Sequence, residues 1–137
     1  MELSDIVIEP RFCETDALRH ISNTVLPIWF ESARGPLFRA ILTSSKIEDW
    51  PIIVARISVD FLAQIYFGSP VTISTAIKKV GSKSFTIQQR AYQKGKAVAE
   101  AETVLVYFDF KEQSTKEIPD IMRQKIEQLP FALPTHN

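Results

Sequence analysis

Hydrophobic and polar positions alternate with a period of two over much of the stretch from residue 52 to residue 110. Three glycine-bearing segments interrupt the alternation: Gly68-Ser69-Pro70, Gly81-Ser82-Lys83 and Lys94-Gly95-Lys96. Period-two alternation is typical of β-strands with one face in the core, and Gly, Pro and Ser favour tight turns. The pattern therefore predicts a four-stranded antiparallel meander, with its middle strands centred on residues 71–77 and 85–91.

The first of these segments carries its apolar side chains at odd-numbered positions, which predicts one core-facing side. The core-facing residues are expected to be Ile53, Ala55, Ile57, Val59, Phe61, Ala63 and Ile65. In the fourth segment small side chains recur at Ala97, Ala99 and Ala101. A row of small residues on one face is expected where a helix packs closely against a sheet.

A period of three to four residues replaces the period of two between Thr24 and Leu42. Its apolar stripe consists of Phe30, Ala33, Leu37 and Ile41. Such a stripe predicts an amphipathic helix that lies on the sheet, with Ser22 or Asn23 as its N-cap. Gly35-Pro36 removes a backbone donor inside this pattern, which predicts that the helix is kinked or split there.

The remaining elements are short. A first strand is predicted at Ile6–Ile8 with Phe12, and a polar loop is predicted from Thr43 to Trp50. A terminal helix is predicted from Pro119 to about Gln128, because a proline is tolerated in the first turn. The tail beyond Pro130 is expected to be ordered only where something packs on it.

Together these elements predict an α+β fold in which a curved antiparallel sheet wraps one long helix. Residues 1–137 are expected to form a single domain, with residues 129–137 as its tail. A sheet covered by one helix leaves edge strands and part of a face open, which proteins commonly manage by pairing subunits. We therefore expect a homodimer or a homotetramer.

Composition narrows the function classes. The chain has 137 residues, of which 45% are hydrophobic and 23% are charged, as in ordinary globular proteins. Sixteen basic and sixteen acidic residues cancel, so no overall field attracts nucleic acid or an anionic membrane. The N-terminus does not resemble a signal peptide, and no apolar run reaches the length of a membrane span, which favours a cytoplasmic protein.

Cysteine and histidine are scarce. The one cysteine, Cys13, excludes a disulfide within the chain, and we expect it to be a packed thiol. With only His20 and His136 in addition, the sequence predicts neither a metal cluster nor a cofactor.

The run from Arg11 to Asn23, continued by Trp29 to Arg34, resembles the signature of the hotdog-fold thioesterases of the 4-hydroxybenzoyl-CoA thioesterase type. In that family an aspartate precedes G-H-V-N-N, and Y-F-E-x-A-R follows on the helix. The likeness continues through the segments Val59–Leu62, Val80–Phe85 and Ala99–Thr103. Two positions depart from the family pattern: Arg19 replaces a glycine and Ser22 replaces the first asparagine.

The resemblance implies that Asp16 is the reactive carboxylate and that acyl-CoA thioesters are the substrate. Thioester hydrolysis needs a carboxylate that attacks the carbonyl carbon or one that deprotonates water. It also needs donors for the oxyanion, and the helix start near Asn23 can supply backbone N–H groups. From the residues alone, Asp16 is equally well explained as a cap of a turn or of the helix.

Other residues are weaker candidates for chemistry. His20 is expected to hydrogen-bond within the structure or contact substrate, and Asn23 to cap the helix or contact the carbonyl. Glu31 is the alternative carboxylate, because other hotdog thioesterases use one on the helix. Its simplest role is a surface ion pair with Arg34.

A CoA substrate needs positive charge for its phosphates. The turn that contains Lys83 and Ser84 is the predicted site, whereas Lys94-Gly95-Lys96 is interpreted as an ordinary hairpin. Phe30 and Phe61 are expected to line the acyl pocket at a subunit boundary. Two alternatives stay open: a thioesterase that acts on acyl groups carried by acyl carrier protein, and a hotdog protein that binds acyl thioesters without hydrolysing them.

Overall fold

The computed structural model describes residues 2–42 and 50–134. The strands are β1 (Ile6–Ile8), β2 (Ile52–Phe61), β3 (Val71–Val80), β4 (Ser84–Gln93), β5 (Lys96–Asp109) and β6 (Ser114–Thr115). The helices are α1 (Leu26–Ser32), α2 (Gly35–Ile41) and α3 (Asp120–Glu127). One antiparallel sheet wraps the α1–α2 segment, which confirms the predicted α+β hotdog fold.

The order of the strands corrects the predicted four-stranded meander. The sheet runs β1-β3-β4-β5-β2, so along this path only β3, β4 and β5 are neighbours in both sequence and space, and β6 pairs with β5 beside it. Strand β2 pairs with β5 because the connection over residues 62–70 is too long for a tight hairpin and crosses to the other side of the sheet. Alternation identifies strands but carries no information on which strand is the partner.

The predicted core face of β2 is also only partly right. A β-bulge shifts the register between Val54 and Arg56. The extra residue reverses the alternation, so odd-numbered side chains after the bulge face the side that even-numbered side chains face before it. As a result Ile52, and not Ile53, packs on the core before the bulge, whereas Val59 packs on it afterwards. Most of β2 is exposed, because it forms one edge of the sheet.

The helix is split, as Gly35-Pro36 predicted. Ala33 and Arg34 separate α1 from α2, and Arg34 N donates to Glu31 O at 3.1 Å in a tighter turn. The carbonyl of Phe30 is thereby freed from the helix, and the buried Gln89 side chain on β4 donates to it at 3.0 Å. The sheet therefore caps the end of α1.

The helical segment begins with a short 3-10 turn at Asn23–Val25 that leads into α1. Ser22 is its N-cap, because the Ser22 hydroxyl accepts from Thr24 N at 3.4 Å. Behind α1, Ala99 and Ala101 are buried in the same cluster as Phe30, as the row of small residues predicted.

The chain beyond α3 is ordered where it packs. Ile77 N on β3 donates to Pro130 O at 2.8 Å, so the tail runs beside β3 and is described to Pro134. The predicted polar loop lies outside the described residues, apart from Trp50.

Candidate active site

Asp16 lies in a closed loop between strand β1 and the first helix. Thr15 and Ile21 form an isolated bridge at its base, and Asp16 N donates to His20 O at 2.8 Å. Arg19 N donates to Asp16 O at 3.1 Å, which closes the tip. Hydrogen bonds between residues close in sequence therefore close the loop.

Arg19 adopts a left-handed backbone conformation, with φ at +68°. This is the position at which the resembled family has glycine, the residue that reaches such angles without steric cost. The loop keeps the shape that glycine favours and accommodates an arginine in it. The departure from the family pattern therefore changes the side chain at the tip and preserves the turn.

The two oxygens of the Asp16 carboxylate have different surroundings. Oδ1 accepts hydrogen bonds from Leu18 N at 2.8 Å and from His20 N at 3.2 Å, so Asp16 does cap a turn. Oδ2 accepts no hydrogen bond from the residues that the structure describes. The turn orients the carboxylate and leaves one oxygen available to a ligand.

Asp16 opens onto a cleft of about 610 Å³, which we call the Asp16 cleft. Its apolar wall includes Ile21, Leu26, Phe61, Leu62 and Ile65. The volume lies within the range of about 300–1,000 Å³ that is common for small-molecule sites. A cleft that combines apolar side chains with a carboxylate suits a substrate that has an apolar chain next to a reactive carbonyl.

Asn23 also lines the Asp16 cleft. Its backbone N–H belongs to the first residue of the 3-10 turn, so no carbonyl within that turn can accept from it. It donates to no acceptor among residues 2–42 and 50–134. The sequence-predicted set of Asp16, Asn23 and Phe61 is thus brought together in one cleft.

A second carboxylate, Glu14, links the Asp16 loop to α1 through a hydrogen bond. Its side chain is 7% exposed and accepts from Arg11 N at 2.7 Å and from the Trp29 indole Nε1 at 2.9 Å. Burial alone would raise the pKa of the Glu14 carboxyl, but the bonds from the Arg11 backbone, Trp29 and the Arg11 guanidinium outweigh it and lower that pKa. Glu14 O also accepts from Ser22 N at 2.9 Å.

Sequence reasoning missed Glu14 and Trp29. The available signal was a tryptophan on the buried stripe of the helix, because a buried indole N–H nearly always has an acceptor. A glutamate two residues before Asp16 was the nearest acidic candidate.

His20 does not line the Asp16 cleft. Its ring is half-buried and packs edge-on against Tyr66, with 5.1 Å between the ring centroids. Phe30 is fully buried in the core, so the expectation that it lines the pocket is wrong, and Leu26 of the same helix lines it instead.

Lys83 and Ser84 lie at the other end of the sheet. Ala91 on β4 is level with Phe61, and Lys83 lies eight residues from Ala91, roughly 26 Å at 3.3 Å per residue. Within one chain, the predicted phosphate-binding turn is therefore far from Asp16.

Burial corrects two other expectations, those for Arg34 and Cys13, whereas Glu31 lies at the surface as expected. Arg34 is 3% exposed and lies under the helix break instead of on the surface, so burial lowers its pKa while Glu31 opposes that effect. Glu31 is exposed on α1 and is not among the residues that line the Asp16 cleft. Cys13 is exposed, not packed, because it lies in a surface 3-10 turn.

Two further kinds of feature are absent from the described part of the chain. Residues 2–42 and 50–134 contain no group of three or more His, Cys, Asp or Glu side chains arranged to hold a metal ion. The helices in these ranges include none with the length and apolar character needed to cross a membrane.

Comparison with solved structures places this architecture among thioesterases. A predicted thioesterase of Bacillus stearothermophilus is 35% identical, with a TM-score of 0.87 over 90% of this chain and 93% of that chain. A thioesterase of Thermus thermophilus, solved in complex with coenzyme A and zinc, is 26% identical, with a TM-score of 0.82 over 90% of each chain.

Comparison of sequences leads to the same family. The uncharacterized protein YsmA of Bacillus subtilis strain 168 is 30% identical over 80 residues, which are 58% of this chain. The match spans 54% of YsmA, about half the length of that relative. The model of the thioesterase-like superfamily matches residues 10–126, and the chain belongs to that superfamily.

The left-handed conformation of Arg19 yields a prediction about stability. We expect Arg19→Gly to stabilise the protein by up to about 1 kcal/mol, because glycine adopts this φ without a clash between Cβ and the backbone. Leu18→Gly is the matched control, since Leu18 is exposed and its φ is not positive, and it should destabilise. The free energy of unfolding of both variants is measured by urea titration. An equal decrease in both would contradict the assignment of strain to Arg19.

The hydrogen bonds of Glu14 yield a prediction about pH. Glu14→Gln should cost about 1–3 kcal/mol at neutral pH, because one amide oxygen replaces a charged acceptor of several bonds. The folded-state pKa is lowered, so this contribution is complete above the ordinary value of 4.5 and is lost as pH falls through the folded pKa. Unfolding free energies of wild type and variant should therefore converge below about pH 4.5. The exposed Glu31→Gln should show no such convergence.

Proposed function

We propose that this protein hydrolyses acyl-CoA thioesters to the free acid and CoA, with Asp16 as the reactive carboxylate. The observation that carries the proposal is that Asp16, whose Oδ2 accepts no hydrogen bond from the described residues, lines a cleft that also contains apolar side chains. The Thermus thermophilus thioesterase that binds coenzyme A supports CoA as the carrier.

Two mechanisms fit this arrangement. In the first, an Asp16 oxygen attacks the thioester carbonyl, CoA leaves as the thiolate, and water hydrolyses the resulting mixed anhydride. In the second, Asp16 takes a proton from a water molecule that attacks the same carbonyl carbon. Both consume one water molecule and release one acid and one CoA thiol.

The oxyanion of either mechanism needs a hydrogen-bond donor on the other side of the carbonyl. The backbone N–H of Asn23 is the best candidate, because Asn23 lines the cleft and its N–H has no acceptor among the described residues. One well-aimed donor of this kind contributes about 3–4 kcal/mol to a transition state. The acyl chain would then extend along Leu26 and Phe61.

We propose a homodimer or a larger homo-oligomer, and the edge strand β2 supports it. Nine of its ten residues pair with β5, its other side pairs with no strand of the described residues, and Val54 and Ile57 are exposed along it. Long exposed edges with apolar side chains are commonly covered by a second subunit.

A two-fold axis beside β2 would have a consequence for the site. Antiparallel pairing of two β2 strands sets the Phe61 end of one copy next to the Ile52 end of the other. Ile52 pairs with Tyr107, whose N–H donates to Lys83 O at 2.9 Å. The Lys83–Ser84 turn of the second copy would thereby approach the Asp16 cleft of the first copy. The first copy's own Lys83–Ser84 turn is distant from that cleft.

The central test removes the Asp16 carboxylate. We expect Asp16→Asn to lower kcat for acyl-CoA hydrolysis by about 10²–10⁴-fold, measured by detection of the released thiol. Glu31→Gln is the control, because it removes the alternative helical carboxylate, and it should leave kcat unchanged. Full activity in Asp16→Asn with loss in Glu31→Gln would transfer the role to Glu31. Binding of acyl-CoA without turnover by wild type would favour the non-catalytic alternative.

The oligomer is tested by charging the edge of β2. Val54→Lys combined with Ile57→Lys should shift the protein toward monomer in analytical ultracentrifugation, because two new charges would face each other across the interface. Val7→Lys on β1 is the control, since it charges the other edge of the sheet at a residue that is 60% exposed. A dimer that survives the β2 changes and dissociates in Val7→Lys would place the interface on β1.

A further inference from the structure

Strand β2 carries two charged side chains, Arg56 and Asp60, on the outer face of the sheet. Asp60 shares this face with Ser58 and Glu100, and the three line one polar cavity. Arg56 follows the bulge and lies two residues before Ser58, so its side chain points to the same face. Both charged side chains are exposed. The open edge of the sheet therefore presents one positive and one negative charge.

The carboxylate of Asp60 meets a like charge within the sheet. Asp60 is directly opposite Glu100 on β5, and like charges in such cross-strand pairs are destabilising. Arg90 Nε on β4 donates to Glu100 Oε1 at 2.8 Å, from the other side of β5. Asp60 forms no ion pair with residues 2–42 and 50–134. A cation placed beyond the open edge of β2 would offset the repulsion.

The guanidinium of Arg56 is likewise without an ion pair in the part of the chain that the structure describes. Its cross-strand neighbour on β5 is the apolar Val104. Arg56 and Asp60 are four residues apart on one strand, about 13 Å at 3.3 Å per residue, which is too far for an ion pair between them. Neither charge is therefore matched within the described residues.

A second copy of β2 can supply both missing charges. When two identical strands pair antiparallel about a two-fold axis, every contact occurs twice, with the roles of the two copies exchanged. Residues opposite each other in such a pair point to the same face, so one residue on the axis must face its own copy. Naming that residue specifies the whole register.

The regular part of β2 is short. The bulge ends regular pairing before Arg56, and the strand ends at Phe61. Ser58 is one of the two central residues of this regular part. An axis at Ser58 sets Arg56 of each copy opposite Asp60 of the other, which forms two equivalent ion pairs.

Other axes lose this match. An axis at Arg56 or at Asp60 would set two like charges opposite each other, which is destabilising. An axis at Ile57 or at Val59 would set Ser58 opposite one charged residue and would match neither charge. Charge complementarity thus selects the axis at Ser58.

We propose that two copies of this chain pair along β2 with Ser58 opposite its own copy, in a register fixed by reciprocal ion pairs between Arg56 and Asp60. The inference rests on the homo-oligomer proposed above, because it takes β2 as the shared edge. It adds the residues by which one copy recognises the other.

The register also has a consequence for the Asp16 cleft. With the axis at Ser58, the bulged Ala55 of the second copy lies opposite Phe61 of the first. Phe61 lines the Asp16 cleft, so the second copy lies beside that end of the cleft.

Disulfide formation tests the register directly. In a Cys13→Ser background, single cysteines at positions 56 to 60 each report one axis, because only the residue on the axis faces its own copy. Ser58→Cys should cross-link on mild oxidation, since opposite Cα atoms are about 4.5–5.5 Å apart and a disulfide accepts about 4.4–6.8 Å. Arg56→Cys and Asp60→Cys should not cross-link, because each lies about 13 Å from its own copy. Cross-linking at another of the five positions in place of Ser58→Cys, on a non-reducing gel, would overturn the register.

Charge exchange tests the ion pairs. Asp60→Arg should raise the dissociation constant of the dimer about 100-fold in sedimentation equilibrium, because it sets like charges opposite each other twice. The new arginine faces Glu100 within its own chain, so the loss does not reflect unfolding. Arg56→Asp should weaken the dimer similarly, and the double variant should return to within about threefold of wild type. Lys94→Asp, on the β4–β5 turn, is the control and should change nothing.

Several results would overturn the inference. A double variant as weak as the single variants would show that Arg56 and Asp60 do not pair, and so would single variants that dissociate like wild type. A monomeric wild type would overturn the inference together with the proposed oligomer. Release of thiol from acyl-CoA by that monomer would leave the proposed hydrolysis standing, so the two failures are distinguishable.

Discussion

The hydrogen bond from the Trp29 indole to the buried Glu14 carboxylate determines where the candidate site lies. It joins residues 15 positions apart, one in the loop before the helix and one on the buried face of α1. Because Ser22 N also donates to Glu14 O, both ends of the Asp16 loop are held against the helix start. The local bonds of the loop give Asp16 its orientation, and the Glu14 link positions the loop over the cleft.

The crossing connection over residues 62–70 determines both where β2 pairs and where the cleft forms. It allows β2 to pair with β5 at one edge of the sheet, and it supplies one wall of the Asp16 cleft. Gln93 secures this connection to β4 through three hydrogen bonds to Tyr66 and Ser69. A segment that resembles an ordinary turn in sequence thus sets both the open edge and the ligand-sized space.

Periodicity was sufficient to predict the elements, because each strand and helix has its own local pattern. It could not predict the order of the strands, since β2 and β3 are neighbours in sequence but are separated in the sheet by β4 and β5. A single bulged residue near Val54 was likewise enough to change which side chains of β2 face the core. Asp16, Asn23 and Phe61 line one cleft, because the fold brings the motif and the end of β2 together. Lys83 fails to join them within the chain, because its distance depends on topology and not on residue type.

The claim that Asp16 acts on the thioester is tested most directly by a single turnover of wild-type protein with acyl-CoA in ¹⁸O-labelled water. We expect release of one CoA thiol for each acid formed, with ¹⁸O in the acid if Asp16 activates water. If Asp16 is the nucleophile and water attacks the aspartyl carbon of the mixed anhydride, the first acid released is unlabelled and the peptide that contains Asp16 carries one ¹⁸O. Recovery of intact acyl-CoA from the complex, or ¹⁸O on any other side chain, would contradict the claim that Asp16 acts on the thioester.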